Sequence, residues 1–345
     1  MITALSNYGQ AKMFTSRTIV GLLVTAGIIL LGLSRIDLTE AAIAFAAVRV
    51  ELVIAAAILV VAAIAIFAVR WSVLLPSDIA VPIGFVFSYL TIGYMMNAII
   101  PLRIGDLARA YVLGRRHGIA VSITLSTVIV ERVFDVVAIV IIGLLVSTML
   151  DLPPLVKVGL RIFGVIGVTG VSVLYGLSFW GKLTQRLAWF NAESGPLQRL
   201  STLLRRVDVF CEALLVLHDW RRLAATAVLT LAGWGVLSAS LSLFAFSFGL
   251  NVPYLGGAIM MVATSLGASI PSAPGSAGVY HVLVVLALSV WKVPMEQAVA
   301  VGVLAHGVTI ALHLVLGVTC AGLVGIRLSS LSQIGTPLSN VERSR

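Results

Sequence analysis

At 345 residues, with 60% hydrophobic and only 11% charged side chains, the chain is too apolar for a soluble domain, where about 25% of residues are charged. Apolar runs of about 20 residues recur and short alternating strands do not, which points to an all-α polytopic membrane protein and excludes a β-barrel. The net charge of +9 and isoelectric point near 10.1 suit anionic lipid headgroups; the basic residues fall between apolar runs, so nucleic acid is not an expected partner.

Lys12 and Arg17 precede an apolar run, Thr18 to Leu33. No small-residue cleavage site stands out, so 18–34 reads as an uncleaved first span. Arg49 and Glu51 interrupt the next run, leaving a second span over 52–69 that ends at Arg70-Trp71. Residues 79–100 are apolar up to Pro101. A basic stretch follows at 103–117, then apolar runs at 121–150 and 156–179. The polar segment 180–222 carries Leu197, Leu200, Leu204, Val207, Cys211, Leu214 and Leu217 at helical spacing, with arginines between them. That is an amphipathic helix, lying on the inner membrane face or packed on a cytosolic partner. Apolar runs return at 223–249, 254–270, 276–291 and 297–326. The last has no Asp, Glu, Lys or Arg between Glu296 and Arg327 and is longer than a ~30 Å hydrocarbon core. It is expected to tilt or break, with Gly302, Gly307 and Gly317 as the candidate places. The two cysteines, Cys211 and Cys320, form no disulfide or metal spacing, and no metal or cofactor is expected.

Lysine and arginine in loops set the orientation. Segments 103–117 and 180–222 and both chain ends are rich in them, so both termini belong in the cytoplasm. The turns near 35–40, 151–157 and 250–253 are poor in them and belong outside. Residues 79–113 must then leave and return to the inner face, while 254–291 must start and finish outside. The count is about six full spans plus two re-entrant or broken helical hairpins. Both hairpin turns read Ile-Pro-x-x-x-Gly, at 100–105 and at 270–275. Such a layout is an inverted repeat, 52–150 against 223–326 about the 180–222 linker, within one integral membrane domain over 1–345. Pro101, Gly105, Pro271, Pro274, Gly275 and Gly278 are the turn residues, and amides freed at such breaks face anions well.

Around the first turn an otherwise apolar chain places Arg103, Asp106, Arg109, Glu131, Arg132 and Asp135. A charge at mid-bilayer costs roughly 2.5–3.5 kcal/mol on insertion scales, so six of them imply a use. Arginine's planar fork suits bidentate phosphate binding, and Arg103, with Arg109 and Arg132, is expected to hold a lipid phosphate in a polar cavity. The same six charges sum to zero and equally fit a set of structural ion pairs. Glu131 and Asp135 share a helical face; they orient Arg103 and Arg132 or act as an acid/base pair. Asn97 caps the break or touches the headgroup. His281, His306 and His313 are candidate polar lining, set against the plainer reading of packed, hydrogen-bonded histidines. Neither a P-loop nor a dinucleotide fingerprint is present, so nothing points to ATP drive, and the chain is not expected to be an enzyme.

Three stretches carry a resemblance: N-A-I-I-P-L-R-I-G-D-L-A-R (97–109), E-R-V-F-D (131–135) and P-S-A-P-G-S-A-G-V-Y (271–280). In this order, with Arg70-Trp71 ahead of them, they resemble the lysylphosphatidylglycerol synthase transmembrane-region family. That family is the flippase-like module at the membrane end of bacterial multiple peptide resistance factors, and it also occurs as stand-alone proteins. The resemblance covers about 15–325. It implies Asn97, Pro101, Arg103, Gly105, Arg109, Glu131, Arg132, Asp135, Pro274, Gly275 and Gly278 as matching positions. Asp106 stands where the family often has Glu, and His281 where it commonly has Glu, which removes a carboxylate. No soluble aminoacyl-transferase domain is expected, so the resemblance implies the translocating half alone, in a bacterial inner membrane. The expected function is transport or flipping of a lipid with a phosphate headgroup, an aminoacyl-phospholipid or a polyprenyl-phosphate-linked precursor. Membrane lipids and an envelope-lipid biosynthetic enzyme are the expected partners. Two other classes stay open: a membrane headgroup or glycosyl transferase using Glu131 or Asp135 as base, and a non-catalytic partner that docks an envelope enzyme through 180–222.

Overall fold

The computed structural model describes residues 45–76, 80–100, 104–186, 219–268, 274–276 and 278–326. The expected first span, the 187–218 part of the amphipathic linker, and Pro101, Arg103 and Pro271 lie outside these residues. Among the described residues, regular structure is helical: α1 Val50–Leu74, α2 Ile83–Ile99, α3 Ile104–His117, α4 Val121–Ser147, α5 Pro154–Arg186, α6 Trp220–Ser247, α7 Tyr254–Gly267, α8 Val279–Leu288 and α9 Met295–Leu323. Short 3-10 turns at Pro274–Ser276 and Ser289–Trp291 flank α8. Of these helices α1, α5, α6 and α9 are long and apolar enough to cross a membrane. α4 matches them in length with 27 residues but carries Glu131, Arg132 and Asp135 near its middle.

The sequence placed the end of the second span at Arg70; the structure instead carries α1 on to Leu74, with Arg70 and Trp71 both inside it and buried. The reason is local: carboxylates from α4 meet the Arg70 guanidinium, so the charge has no need to reach the surface. α9 runs unbroken from Met295 to Leu323, about 43 Å at the helical rise. Its glycines do not break it. Gly302 faces His281 and Val284, Gly317 faces Met95, and Gly307 faces open space.

The most extensive packing is α1 against α6, and the two run antiparallel. At one end Arg49 Nη2 donates to Phe246 O at 2.8 Å; at the other Arg222 Nη1 donates to Leu75 O at 3.3 Å. Between them Ser240 Oγ donates to Ala56 O, and the Phe67 ring lies on Gly233 and edge-on to Trp234. Small residues at these points let two long apolar helices approach closely without a hydrophobic drive between them.

Two helical hairpins flank this pair. In the first, α2 and α3 are closed at the base by Tyr89 Oη and His117 Nε2, 3.2 Å apart, and at the tip by Asn97 Oδ1, which accepts from Gly105 N at 2.8 Å. The base of the second, α7–α8, is closed where Gly256 lies under Val252 and Trp291; deeper in, Gly267 lies against Leu283 and Val279. With 17, 14, 14 and 10 residues, α2, α3, α7 and α8 are about 26, 21, 21 and 15 Å long, each short of a ~30 Å core.

The hairpin bases lie at opposite ends of the bundle. The α2–α3 base shares an apolar cluster with Leu75 and Val324, and Arg116 caps the end of α9 by donating to Val324 O and Gly325 O. The α7–α8 base clusters with Val146, Leu152 and Phe244, near the far ends of α4 and α6. The tips approach each other: a Cβ at Gly275 would lie 3.6 Å from Ala98 O. Helix pairing is also unchanged when α1–α4 are exchanged for α6–α9 in order. α2 packs on α9 as α7 packs on α4, and α1 on α4 as α6 on α9.

Gly105 is the tightest point of the first hairpin. A Cβ there would stand 2.0 Å from Gly93 O and 2.7 Å from Asn97 Oδ1, both fixed by the hairpin itself. Gly105→Ala is expected to lower stability by about 1–3 kcal/mol in a detergent melt, as overpacking does, while Gly307→Ala, which meets nothing within 4 Å, does not lower it and raises it by up to about 1 kcal/mol.

Candidate functional site

Six charges converge where the first hairpin meets α1, α4 and α6. The α1 guanidinium of Arg70 bridges two carboxylates with separate nitrogens. Its Nη2 lies 3.1 Å from Glu131 Oε1 and its Nη1 2.5 Å from Asp135 Oδ1. Nη1 also donates to Thr230 Oγ1 of α6 at 3.2 Å. The second Glu131 oxygen accepts from Arg109 Nη2 of α3 at 2.6 Å. The second Asp135 oxygen lies 3.3 Å from Arg132 Nη1, and Trp234 Nε1 donates to Asp135 Oδ1 at 3.0 Å. Asp106, at the start of α3, lies 3.4 Å from Arg109 Nε and 3.7 Å from Arg132 Nε. The set alternates in sign and holds three arginines and three carboxylates.

Aromatic and hydroxyl groups complete the enclosure. The Arg109 guanidinium lies over the Trp71 ring at 4.4 Å, and that of Arg70 over Phe67 at 4.7 Å. Such faces stabilise a cation that has lost its water. Trp71 Nε1 donates to Thr127 Oγ1 of α4, and Thr124 Oγ1 donates to Ala110 O of α3, so α1, α3 and α4 are tied by neutral bonds as well.

Exposure divides this network. Arg109 and Glu131 have 0% exposed side chains and Arg70 has 1%, so these three are sealed. Asp106 is 13% open and Arg132 is 34% open. The Nε of Arg132 is nonetheless buried. Arg132 and Asp106 are thus the open members at the edge of the sealed set.

A second polar group gathers at the other hairpin tip. His306 of α9 meets Gly275 O through Nε2 at 2.8 Å and stacks on Tyr280 with ring centres 4.5 Å apart. His281 lies 5.1 Å from His306, and its Nδ1 accepts from Gly278 N at 3.3 Å. Gly275 and Gly278 take φ of 67° and 83°, which only glycine adopts without strain. Two turns down α9, His313 lies 5.1 Å from Tyr94 of α2, ring centre to ring centre. Among the described residues no group of three or more His, Cys, Asp or Glu side chains is placed to hold a metal ion.

The structure thus brings Asp106, Arg109, Glu131, Arg132 and Asp135 together, and His281, His306 and His313 into a second group, with Asn97 closing the first tip. Glu131 holds Arg70 and Arg109, and Asp135 holds Arg70 and Arg132; Arg70 is the partner that the sequence left out of the site. It was legible only as the end of an apolar run and, with Trp71, as part of the resemblance. Tyr94, Thr127, Thr230 and Trp234 were missed, since none carries a charge to mark it among apolar neighbours.

The family described as the lysylphosphatidylglycerol synthase TM region matches residues 18–317 of this chain. A UPF0104 membrane protein of Methanocaldococcus jannaschii is similar at 25% identity over 212 residues, 61% of this chain and 85% of that protein. No solved structure matches.

Burial predicts unequal costs within one network. Arg70→Gln takes one of two arginine partners from each of two enclosed carboxylates and is expected to cost roughly 3–5 kcal/mol; Arg132→Gln, on the open rim, costs below about 1 kcal/mol. Denaturation of the detergent-purified protein, followed by tryptophan fluorescence, measures both, and equal losses would contradict this division.

Proposed function

The chain belongs to the lysylphosphatidylglycerol synthase TM region family, and from that membership and the site geometry we propose that it carries a phosphate-bearing lipid headgroup across a bacterial inner membrane. The observation that supports this most is the open guanidinium of Arg132, beside carboxylates already engaged by other arginines. The six described charges sum to zero, and Arg132 is the most open of them. Arg109 has no open surface, so headgroup contact falls to Arg132 while Arg109 holds Glu131 in place.

On this reading the two short hairpins are re-entrant elements dipping from opposite leaflets, and the halves are an inverted repeat. The antiparallel α1–α6 pair, the opposed hairpin bases and the exchange-symmetric packing support it. Acyl tails stay in lipid while the headgroup occupies the crevice between the tips, and the halves rock to open it to each side in turn.

Two measurements test it. In proteoliposomes, Arg132→Gln is expected to slow translocation of a labelled anionic phospholipid at least tenfold, a loss in keeping with one charged hydrogen-bond pair. Transfer at the unmodified rate would end the phosphate assignment. Single cysteines at the exposed positions Arg115 and Lys292, in a cysteine-free background, are expected to react with an impermeant maleimide from opposite sides of a sealed vesicle. Labelling of both from one side would remove the inverted arrangement.

A further inference from the structure

We propose that the headgroup carries, beyond its phosphate, a neutral hydroxyl-bearing group such as a sugar or polyol, and not a cationic aminoacyl group. The inference rests on the phosphate reading and names what lies next to the phosphate.

A strip of rings runs from the arginine rim to the second hairpin tip. Tyr94 follows Gly93, against which the Arg109 side chain lies, and the Tyr94 ring neighbours His313 at 5.1 Å. His313 stands two turns along α9 from His306, which stacks on Tyr280 and meets His281. Arg132 and His306 are each the twelfth residue of their helices, α4 and α9, which correspond under the exchange of halves. One half therefore offers a cation, and the other offers an imidazole at the matching position.

Tyr94, Tyr280 and His313 are each partly exposed, as Arg132 is. Among the described residues, the hydroxyls of Tyr94 and Tyr280 and both nitrogens of His313 have no hydrogen-bond partner, and none of these atoms is sealed. Partly exposed polar edges of this kind call for a ligand or water with donors and acceptors. Hydroxyls provide both at once.

An ammonium group fits badly. Across α2, α8 and α9 the one carboxylate is Glu296, in the first turn of α9 and ten residues before His306, about 15 Å along the helix. The three carboxylates of the charge network each lie against two arginines. Tyr280 gives a ring face to His306 and Tyr94 lies tilted on His313, so among the described residues these rings form no aromatic cage. What the strip presents to a ligand is the edges, with their N and O atoms.

The test compares three lipids on the purified full chain in detergent by native mass spectrometry: phosphatidylinositol (phosphate and polyol), phosphatidylethanol (phosphate alone) and lysylphosphatidylglycerol (phosphate and ammonium). Phosphatidylinositol is expected to bind roughly tenfold more tightly than phosphatidylethanol, as one or two added hydrogen bonds allow, and lysylphosphatidylglycerol less tightly than phosphatidylinositol. The double variant Tyr280→Phe/His313→Phe keeps the rings and is expected to erase the phosphatidylinositol advantage without changing phosphatidylethanol binding. Equal binding of phosphatidylinositol and phosphatidylethanol to the unmodified chain, or tighter binding of the lysyl lipid, overturns this inference alone. If phosphatidylethanol binds no better than diacylglycerol, the phosphate reading fails and this inference fails with it.

Discussion

Glu131 and Asp135 stand one helical turn apart on α4 and divide three guanidiniums between them, from α1, α3 and α4 itself. Taking any of these ions out of water costs several kcal/mol, and mutual attraction offsets that only when geometry is good and the remaining lone pairs are satisfied. Here each carboxylate uses both oxygens, Trp234 and Thr230 add neutral bonds from α6, and aromatic faces cover two of the cations. The attraction therefore specifies where four helices meet. It holds the start of α3, and with it the tip of the first hairpin, at the middle of α4 rather than anywhere along it.

The same constraint explains why one arginine remains open. Arg132 follows Glu131 directly on α4, so its Cβ points about 100° away around the helix, off the sealed side. Its 34% exposure follows from being next to the sealed pair without being able to join it fully. The structural reading of the charges as ion pairs and the ligand-binding reading therefore apply to different members of one network.

Much of this was legible in the amino-acid sequence, and what was missed has physical causes. The helical hairpins stand where apolar runs at 79–100 and 254–270 end in proline and glycine and a second helix follows. The family was legible from three charged or glycine-rich stretches, which the match over 18–317 shows. Arg70 escaped because a basic residue beside tryptophan at the end of an apolar run looks like an interfacial anchor; its carboxylates lie some sixty residues away in sequence. The glycines of α9 were misjudged as breaks because their use depends on the neighbours they admit, Met95 under Gly317 and His281 beside Gly302. Asn97, which sequence left between two roles, spends its side-chain oxygen on Gly105.

The two hairpin tips meet through backbone, Ala98 against Gly275, yet the chemistry on either side of that seam differs. On one flank stand guanidiniums whose charge is permanent; on the other, imidazoles and phenols that are neutral in ordinary water. On the proposed reading, a headgroup approaching from one leaflet meets fixed charge first, and one from the opposite leaflet meets it last. Both journeys end at the same equilibrium, but their barriers need not be ordered alike, so a symmetrical scaffold acquires a front door and a back door.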